Sequence, residues 1–503
     1  MSSLNNGDIW RSAIGRSAIK SEQVRLPEML LGYLIGPFGA LLSSGIFTSI
    51  LQNYFTDVLK LDLAFLTTLQ LASTLLIVAA NLVVGQLIER TRALAGKARP
   101  WILLSTLLLS LASVLMFIVP FKGVVRLVWI AIAYNIYYAV AFPIYNTANS
   151  TLIAVSTRDS NKRSALASFS NMAGLAVMGA GSMVFPILVS FFLKENQSLW
   201  LLVMIGVALF TALTAYLQFK FTRERVTEES LNRSTHTAQG SVSLSRQLKA
   251  ATGEKIWWVV IAFYLLFQWA GALKNGSMAF FCKWVLDNSF FGSPDAWGAS
   301  QSLLSILGAI PMAVAAVFVV PLANRFSKRT VIFWGLVLGT FGGIISGFGQ
   351  GLVLPTAIGV ALKCLGSAPA CYLILAMLAD VIDHIEYKSG LRTDGLTMSI
   401  YSSIMVAATP VCNSLFSALL NMSDYNQSAS PALGRFAQSG AVQNTIIISY
   451  IWVETVAYAV CALLILLFTV EKNLKAEQAL IIGKSIPAGS LIKPRNKEDN
   501  ETA

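Results

Sequence analysis

The sequence predicts an all-α polytopic membrane protein with 12 transmembrane helices in two six-helix halves, and three observations support this prediction. Of the 503 residues, 55% are hydrophobic and only 12% are charged, whereas soluble domains usually carry about 25% charged residues. The mean hydropathy is +0.65. Apolar runs of the roughly 20 residues that cross a bilayer recur along the chain. An α-helix allows such a run to cross the bilayer, because its backbone polar groups form hydrogen bonds within the segment.

The predicted spans form two sets of six, which a polar stretch separates. They lie at residues 30–55, 62–86, 100–120, 127–149, 165–193, 198–219, 257–281, 297–322, 331–350, 354–379, 396–421 and 445–470. The polar stretch is rich in serine, threonine and charged residues, which is typical of a solvated linker. The chain therefore divides into a tail (1–29), a first six-helix bundle (30–220), a linker (221–256), a second six-helix bundle (257–470) and a second tail (471–503).

Lysine and arginine residues predict the orientation, because they accumulate in cytoplasmic loops. Most of the 37 basic residues lie in the linker, the tails and the loops on the same side. Six lie on the opposite side: Lys60, Lys122, Arg126, Lys194, Lys283 and Arg435. This bias predicts a cell-membrane protein with both termini in the cytoplasm.

Several other function classes lack support in the sequence. The net charge of +12 is dispersed among short loops, which argues against a nucleic-acid-binding protein. We find no Walker loop and no nucleophile–base arrangement, so the sequence predicts neither nucleotide binding nor an enzyme. The five cysteines lie in or beside apolar segments without a CxxC pair. We therefore expect them to be packing residues, and we expect no metal site and no other cofactor.

Two loops at corresponding positions of the halves carry a related pattern. Residues 85–92 read GQLIERTR between spans 2 and 3, and residues 321–329 read PLANRFSKR between spans 8 and 9. The first loop resembles the G-x-x-x-D-R loop of the major facilitator superfamily, with Glu89 in place of the aspartate, whereas the second has Asn324 there. The resemblance implies the superfamily fold, in which two halves rock about a site near the bilayer midplane.

Three further segments are more specific: residues 53–58 (NYFTDV), 96–103 (GKARPWIL) and 379–395 (ADVIDHIEYKSGLRTDG). Together they resemble the glycoside–pentoside–hexuronide:cation symporter family, whose best-known member is the melibiose carrier. The resemblance extends over residues 30–470. It implies secondary transport of a sugar or glycoside by alternating access.

The charged coupling site of this family is missing at the corresponding positions. The resemblance places Ile77 and Asn81 at the two span 2 aspartates. It places Asn146 at the span 4 carboxylate and Asn171 at the span 5 arginine. Sodium prefers several hard oxygen ligands, and the Ile77 side chain has no oxygen. We therefore expect no family-type sodium site, and the coupling cation (H+ or Na+) stays open, as does uncoupled transport.

Three ionisable residues fall within predicted spans, where such residues usually mark a pathway. Lys274 in span 7 and Lys363 in span 10 lie in spans that line the cavity of the superfamily fold. Because no cavity carboxylate is obvious, the lysine pair favours an anionic solute such as a hexuronide. Glu454 in span 12 is expected at the membrane edge. The alternative is that both lysines snorkel to the outer interface.

Polar and aromatic side chains in span 4 predict a sugar-binding surface, because sugars have apolar faces and hydroxyl edges. Four of them recur at helical spacing and are expected near one face: Tyr134, Tyr138, Tyr145 and Asn149. Further predicted contacts to the solute are Asn146, Asn171, Gln268, Trp269, Asn275 and Tyr401. The alternative role for each is packing and hydrogen bonding between helices.

Charges of both signs on the cytoplasmic side predict a latch between the halves that favours the outward-facing state. Its predicted members are Glu89, Arg90, Arg92, Arg99, Arg163, Asp380, Asp383, Glu386 and Arg392. A single surface ion pair contributes about 0–1 kcal/mol, but a network can bias two states that lie close in free energy. Positive-inside anchoring is the alternative, and it accounts for the bases but not for the acids.

The sequence therefore predicts a secondary active or facilitative transporter of a sugar, glycoside or acidic sugar. Its predicted partners are a small-molecule solute and the lipid bilayer. Two alternatives remain open, namely a transporter of another organic anion or amphiphile, and a non-transporting sensor with the same fold.

Overall fold

The computed structural model describes residues 17–91, 95–157, 160–194, 196–225, 244–349, 351–389, 394–472, 474 and 477. Twelve long helices dominate this part of the chain, and we number them in order. They are α1 (Glu28–Val58), α2 (Leu63–Arg90), α3 (Arg99–Leu115), α4 (123–156), α5 (160–193), α6 (Gln197–Lys220), α7 (Lys255–Trp284), α8 (Trp297–Phe326), α9 (Lys328–Phe348), α10 (Val353–Ser389), α11 (Asp394–Met422) and α12 (Gly440–Ile465).

The helices confirm the predicted fold class. Ten of them are long and apolar enough to cross a membrane. Two apolar segments are shorter, namely α3 and the second part of α5, Gly181–Leu193. The described chain therefore contains ten full-length candidate spans, and twelve when the two shorter ones are counted.

The helix ends differ from the predicted span ends, because a helix can continue into polar residues beyond the apolar run. The span predicted at 354–379 continues as α10 to Ser389. The linker also differs from the prediction at its start, since Glu224 and Arg225 are buried rather than solvated. Arg225 pairs with the fully buried Glu28 at 2.8 Å, which ties the linker to the start of α1.

Glycines bring α9 very close to α10 in the second half. A Cβ atom on Gly342 would lie 2.7 Å from the Gly359 carbonyl oxygen, and one on Gly366 would lie 2.4 Å from the Gly335 carbonyl oxygen. Small residues at membrane helix interfaces allow such backbone approach and increase van der Waals contact. This packing places the middle of α10, including Lys363, in the interior of the second half.

The two halves meet through the pairs α1–α7, α2–α11 and α5–α8. We call the end of the bundle that carries the linker the linker end, and the opposite end the distal end. Within the described residues, the hydrogen bonds between the halves lie toward the distal end. Gln52 Nε2 donates to Ser417 Oγ at 2.7 Å, and Gln427 Nε2 donates to the Leu61 carbonyl oxygen at 2.7 Å. The structure is therefore a conformation in which the halves are joined at the distal end.

Candidate functional site

Three charged side chains meet inside the second half. Lys363 Nζ of α10 lies 2.5 Å from Glu454 Oε2 of α12. Lys274 Nζ of α7 lies 3.4 Å from Glu454 Oε1. Tyr458 donates its hydroxyl hydrogen to the same Glu454 Oε1 at 2.8 Å. The three helices thus build one ionic cluster, which we call the lysine–glutamate triad (Lys274, Lys363 and Glu454).

The members of the triad differ in their exposure. The side chains of Lys363 and Glu454 are 4% and 2% exposed, whereas that of Lys274 is 21% exposed. Glu454 lies two residues after a π-helical turn, Ile448–Trp452, and such turns often occur at functional sites. Lys274 is therefore the one member of the triad whose side chain is partly exposed.

The placement of Glu454 corrects the sequence prediction. Glu454 is not at the membrane edge, because α12 packs against α7 and α9 and turns this side chain inward. Lys274 and Lys363 do not lack a carboxylate either. Buried charges persist only when they are paired, and here one carboxylate serves two ammonium groups. With all three groups ionised, the triad keeps a single net positive charge.

An aromatic pair involves the same helix as Lys274, about three turns closer to the linker end. The rings of Tyr264 in α7 and Tyr401 in α11 stack with their centroids 4.4 Å apart. The exposed thiol of Cys371 is within electrostatic reach of Lys274 and of both tyrosines. Cys371 therefore connects the lysine with the aromatic pair, and we call these four residues the second-half seat (Lys274, Tyr264, Tyr401 and Cys371).

The predicted single face of span 4 is not observed. Tyr134 and Tyr138 stack on each other with centroids 4.5 Å apart, whereas Tyr145 donates to Gln218 Oε1 of α6 at 3.0 Å. Asn149 Oδ1 accepts from Gln218 Nε2 at 2.6 Å. The cause is a π-helical segment, Ile136–Ala141, which accommodates an extra residue per turn and rotates everything after it.

Family membership follows from comparison with known proteins. The sequence model of the family described as MFS/sugar transport protein matches residues 32–472, which is most of the chain. The chain belongs to this family. The prediction of a melibiose-carrier-like member of the major facilitator superfamily is thereby confirmed.

Individual relatives of this MFS/sugar transport protein cover most of the chain. The isoprimeverose transporter of Lactiplantibacillus pentosus is 25% identical over 453 residues, which are 88% of each chain. The glucuronide carrier protein homolog of Escherichia coli is 22% identical over 408 residues, or 80% of this chain and 85% of the relative. A crystal structure of the nucleoside transporter NupG, 13% identical, shares the fold with a TM-score of 0.60 and covers 88% of this chain and 99% of that chain.

The three residues predicted to replace coupling carboxylates lie in α2 and α4. Ile77 is 1% exposed, and Asn81 Nδ2 donates to the Ile77 carbonyl oxygen at 3.1 Å. Asn146 is half-buried in α4. Among the residues that the structure describes, no group of three His, Cys, Asp or Glu side chains could hold a metal ion.

The remaining predicted solute contacts are scattered. Gln268 and Trp269 are half-buried on α7, and the buried Nε1 atom of Trp269 has no hydrogen-bond partner in the described chain. Asn275 is exposed. Asn171 lies in α5, but its side chain is outside the described residues. Of the predicted contacts whose side chains are described in this region, Tyr401 is the one that belongs to the second-half seat.

Two predicted latch residues bind within their own halves in this conformation. Arg99 donates from Nη2 to the Phe219 carbonyl oxygen at 2.8 Å, and Asp380 pairs with Lys328 at 2.5 Å. Asp383 and Glu386 are half-buried on α10 at the linker end. Arg92 and Arg392 lie outside the described residues, as do the side chains of Glu89, Arg90 and Arg163.

A buried ionic cluster at the distal end is absent from the sequence prediction. Asp57 of α1 lies 2.5 Å from Lys283 Nζ of α7 and accepts from the Tyr425 hydroxyl at 2.9 Å. Asn53 Nδ2 also donates to Asp57, at 2.9 Å. We call Asp57, Lys283 and Tyr425 the distal gate. The available signal was the NYFTDV segment, which ends α1 and contains Asp57.

Proposed function

We propose that this protein is a secondary transporter that carries a sugar or glycoside, including acidic sugars, across the cell membrane by alternating access. Membership of the MFS/sugar transport protein family over residues 32–472 supports this proposal. So do relatives named as an isoprimeverose transporter and a glucuronide carrier homolog. The same proposal assigns the chain no enzymatic activity.

The second-half seat is the observation that carries the solute class. A sugar presents an apolar ring face, which stacks on aromatic side chains, and the Tyr264–Tyr401 pair offers such a surface. A uronate also carries a carboxylate, which forms a strong charge-assisted hydrogen bond with an ammonium group. The partly exposed side chain of Lys274 belongs to the same seat and is within electrostatic reach of Cys371.

The orientation belongs to the same proposal. Lysine and arginine accumulate on the side of the tails and linker, and the positive-inside rule assigns that side to the cytoplasm. The distal end then faces outside, and the described conformation is joined on its outer side. Because the coupling positions carry Ile77, Asn81 and Asn146, we propose coupling to protons or no coupling, rather than a family-type sodium site.

Solute counterflow in proteoliposomes tests the transport activity. Vesicles are loaded with an unlabelled sugar, and entry of the labelled sugar is followed for isoprimeverose, methyl glucuronide and D-glucuronate. We expect transient accumulation of at least one of these solutes above the level in protein-free vesicles. Entry equal to that of protein-free vesicles for all three would contradict the proposed function.

Labelling of Cys371 tests the location of the site. Cys371 is the one cysteine of the five with an exposed side chain, so a membrane-permeant methanethiosulfonate reagent should modify it first. We expect a transported sugar to slow this modification, because the sugar covers the second-half seat. The Cys371→Ser variant controls for reaction elsewhere, and an unchanged rate at saturating sugar would place the solute away from this seat.

A further inference from the structure

We propose that Glu454 is an internal counter-ion that an acidic solute displaces from Lys274, and that Glu454 takes up a proton as it is displaced. The proposal rests on the proposed function and names the coupling mode of the same site. It makes entry of a monoanionic sugar acid proton-coupled and electrically neutral. The positions that hold the coupling acids of the symporter family carry none here, so the triad supplies the titratable group from the other half.

The geometry of the triad is asymmetric in the way that exchange requires. The inner contact, Lys363 to Glu454, is 2.5 Å long and sealed from solvent. The outer contact, Lys274 to Glu454, is 3.4 Å long, which exceeds the roughly 2.7–2.9 Å of a strong charge-assisted hydrogen bond. Lys274 is also the exposed member. An incoming carboxylate therefore meets the ammonium group that Glu454 holds less tightly.

Displacement changes the preferred protonation state of Glu454. As long as two ammonium groups face it, the ionised form is compensated although the side chain is buried. Once a solute carboxylate takes Lys274, Glu454 keeps less compensation and gains a nearby negative charge. Burial and a like charge both favour the protonated form of a carboxyl group. The hydroxyl of Tyr458 stays at hydrogen-bond distance and can accept from the protonated acid.

Among the described groups with electrostatic interactions around Glu454, no other is suited to take the proton near neutral pH. The titratable groups within electrostatic reach are Lys274 of α7, Lys363, Cys364 and Cys371 of α10, and Tyr450 and Tyr458 of α12. The part of α9 that packs on α12 presents Gly339 and Gly343. Thiols and phenols are already protonated at pH 7, as are lysines. Glu454 is thus the one base among the groups named here.

The exchange balances in charge and in atoms. Before binding, the site holds two ammonium groups and one carboxylate. After binding, it holds two ammonium groups, the solute carboxylate and one neutral carboxylic acid. One O–H bond forms on Glu454 with a proton taken from the surrounding solution, and no bond in the solute changes. One proton therefore enters with each monoanion, and the loaded site carries the same single positive charge as the empty site, so the transport cycle moves no net charge.

Proton uptake by the wild-type protein tests the proposal without any substitution. Purified protein in detergent and weakly buffered solution at pH 7 receives D-glucuronate, and a pH indicator reports the protons taken up. We expect about one proton per bound glucuronate, and none for methyl glucoside, which lacks the acid. Glucuronate binding without proton uptake overturns the proposal, and so does a failure of glucuronate to bind.

Proteoliposomes test the coupling and the role of Glu454. An inward proton gradient of one pH unit should concentrate glucuronate about tenfold, since one proton moves per solute and a tenfold ratio corresponds to 1.4 kcal/mol. A membrane potential imposed with valinomycin, without a proton gradient, should not concentrate glucuronate. Glu454→Gln, whose folding is checked by thermal melting, should lose the gradient-driven accumulation of glucuronate. Accumulation by Glu454→Gln that equals wild type overturns the proposal.

Glu28→Gln is the matched control, because Glu28 is another buried carboxylate in an ion pair, with Arg225 at 2.8 Å. It lies at the linker end of the first half, away from the triad, so its variant should keep gradient-driven accumulation. Failure of the proposed function looks different, because then no sugar shows counterflow. Counterflow of a neutral glycoside together with glucuronate binding that takes up no proton overturns only the present proposal.

Discussion

Two lysines that both fall within predicted spans have different surroundings in the folded chain. Lys363 is sealed against Glu454, whereas Lys274 keeps 21% of its side chain exposed and a longer contact to the same carboxylate. Removing one partner of a buried ion pair leaves an uncompensated charge. A substitution at Lys363 is therefore expected to destabilise the folded protein. Lys274 is the better position for testing solute binding.

Lys274→Ala should reduce transport of an acidic sugar by about 10- to 100-fold, because a hydrogen bond to a charged group contributes about 1.5–3 kcal/mol. Counterflow of D-glucuronate measures the effect, and labelling of surface protein checks expression. Lys122→Ala removes an exposed lysine at the distal end and should leave counterflow unchanged. Wild-type glucuronate counterflow in Lys274→Ala would exclude this lysine as the anion contact.

Tyr401→Ala should raise the KM for both neutral and acidic sugars by about 2- to 12-fold, because an aromatic stacking pair contributes about 0.5–1.5 kcal/mol. Tyr401→Phe keeps the ring that stacks on Tyr264 and should stay within about twofold of wild type. Initial rates of uptake over a range of sugar concentrations provide the measurement. Equal KM values for the alanine variant and wild type would show that the ring pair does not touch the solute.

Among the helices, the same capping arrangement occurs in both halves. Glu224, just after α6, accepts hydrogen bonds from the backbone N–H groups of Lys97, Ala98 and Arg99 at the start of α3. Glu471, just after α12, accepts from those of Lys328 and Arg329 at the start of α9. A carboxylate at a helix N-terminus accepts hydrogen bonds from unpaired N–H groups and interacts favourably with the positive end of the helix dipole. In each half, the helix that follows the repeated loop is thus capped by an acid that follows the last helix of that half.

Glu224→Gln should lower the free energy of unfolding by about 1–3 kcal/mol, because three hydrogen bonds lose a charged acceptor in a buried setting. Thermal melting in detergent measures the change. Glu22→Gln alters an exposed glutamate in the N-terminal segment and should leave the melting temperature unchanged. A Glu224→Gln variant that melts with wild type would contradict the capping role.

Close packing of α9 and α10 leads to a second prediction about helices. Gly342→Ala should destabilise the protein, because the added Cβ would lie 2.7 Å from the Gly359 carbonyl oxygen. Gly206→Ala in α6 is the matched control, since nothing lies within 4 Å of its Cβ position and alanine favours the helix by about 1 kcal/mol. Melting temperatures should therefore move in opposite directions. A rise in both would show that α9 and α10 can separate without cost.

For the whole molecule, the distal gate links the halves through buried charges. Asp57 belongs to the first half, whereas Lys283 and Tyr425 belong to the second. The Asp57 and Lys283 side chains are 7% and 8% exposed, so the pair is screened little by water and salt. Opening of the distal end requires these contacts to break, and the gate therefore favours the described conformation.

Lys283→Met should shift the population toward a state that is open at the distal end, because breaking a buried pair costs about 3–5 kcal/mol. Spin labels at Lys122 and Phe436, which are both exposed, report the distance between the halves in a Cys371→Ser background. We expect a longer-distance population to grow in the variant. An unchanged distance distribution would mean that the remaining contacts hold the distal end closed.

The fold class and the family were readable from the sequence because the bilayer imposes helix length and internal hydrogen bonding, and because motifs such as NYFTDV are local. The partner of Lys274 and Lys363 was not readable. Glu454 comes from a distant helix, and only the packing of α12 against α7 and α9 turns its charge inward. The π-helical segment in α4 likewise rotates Tyr145 away from Tyr138. Residues close together in the sequence determine where helices form. Which charged side chains pair, and which way a side chain points, depend on how the helices pack against one another.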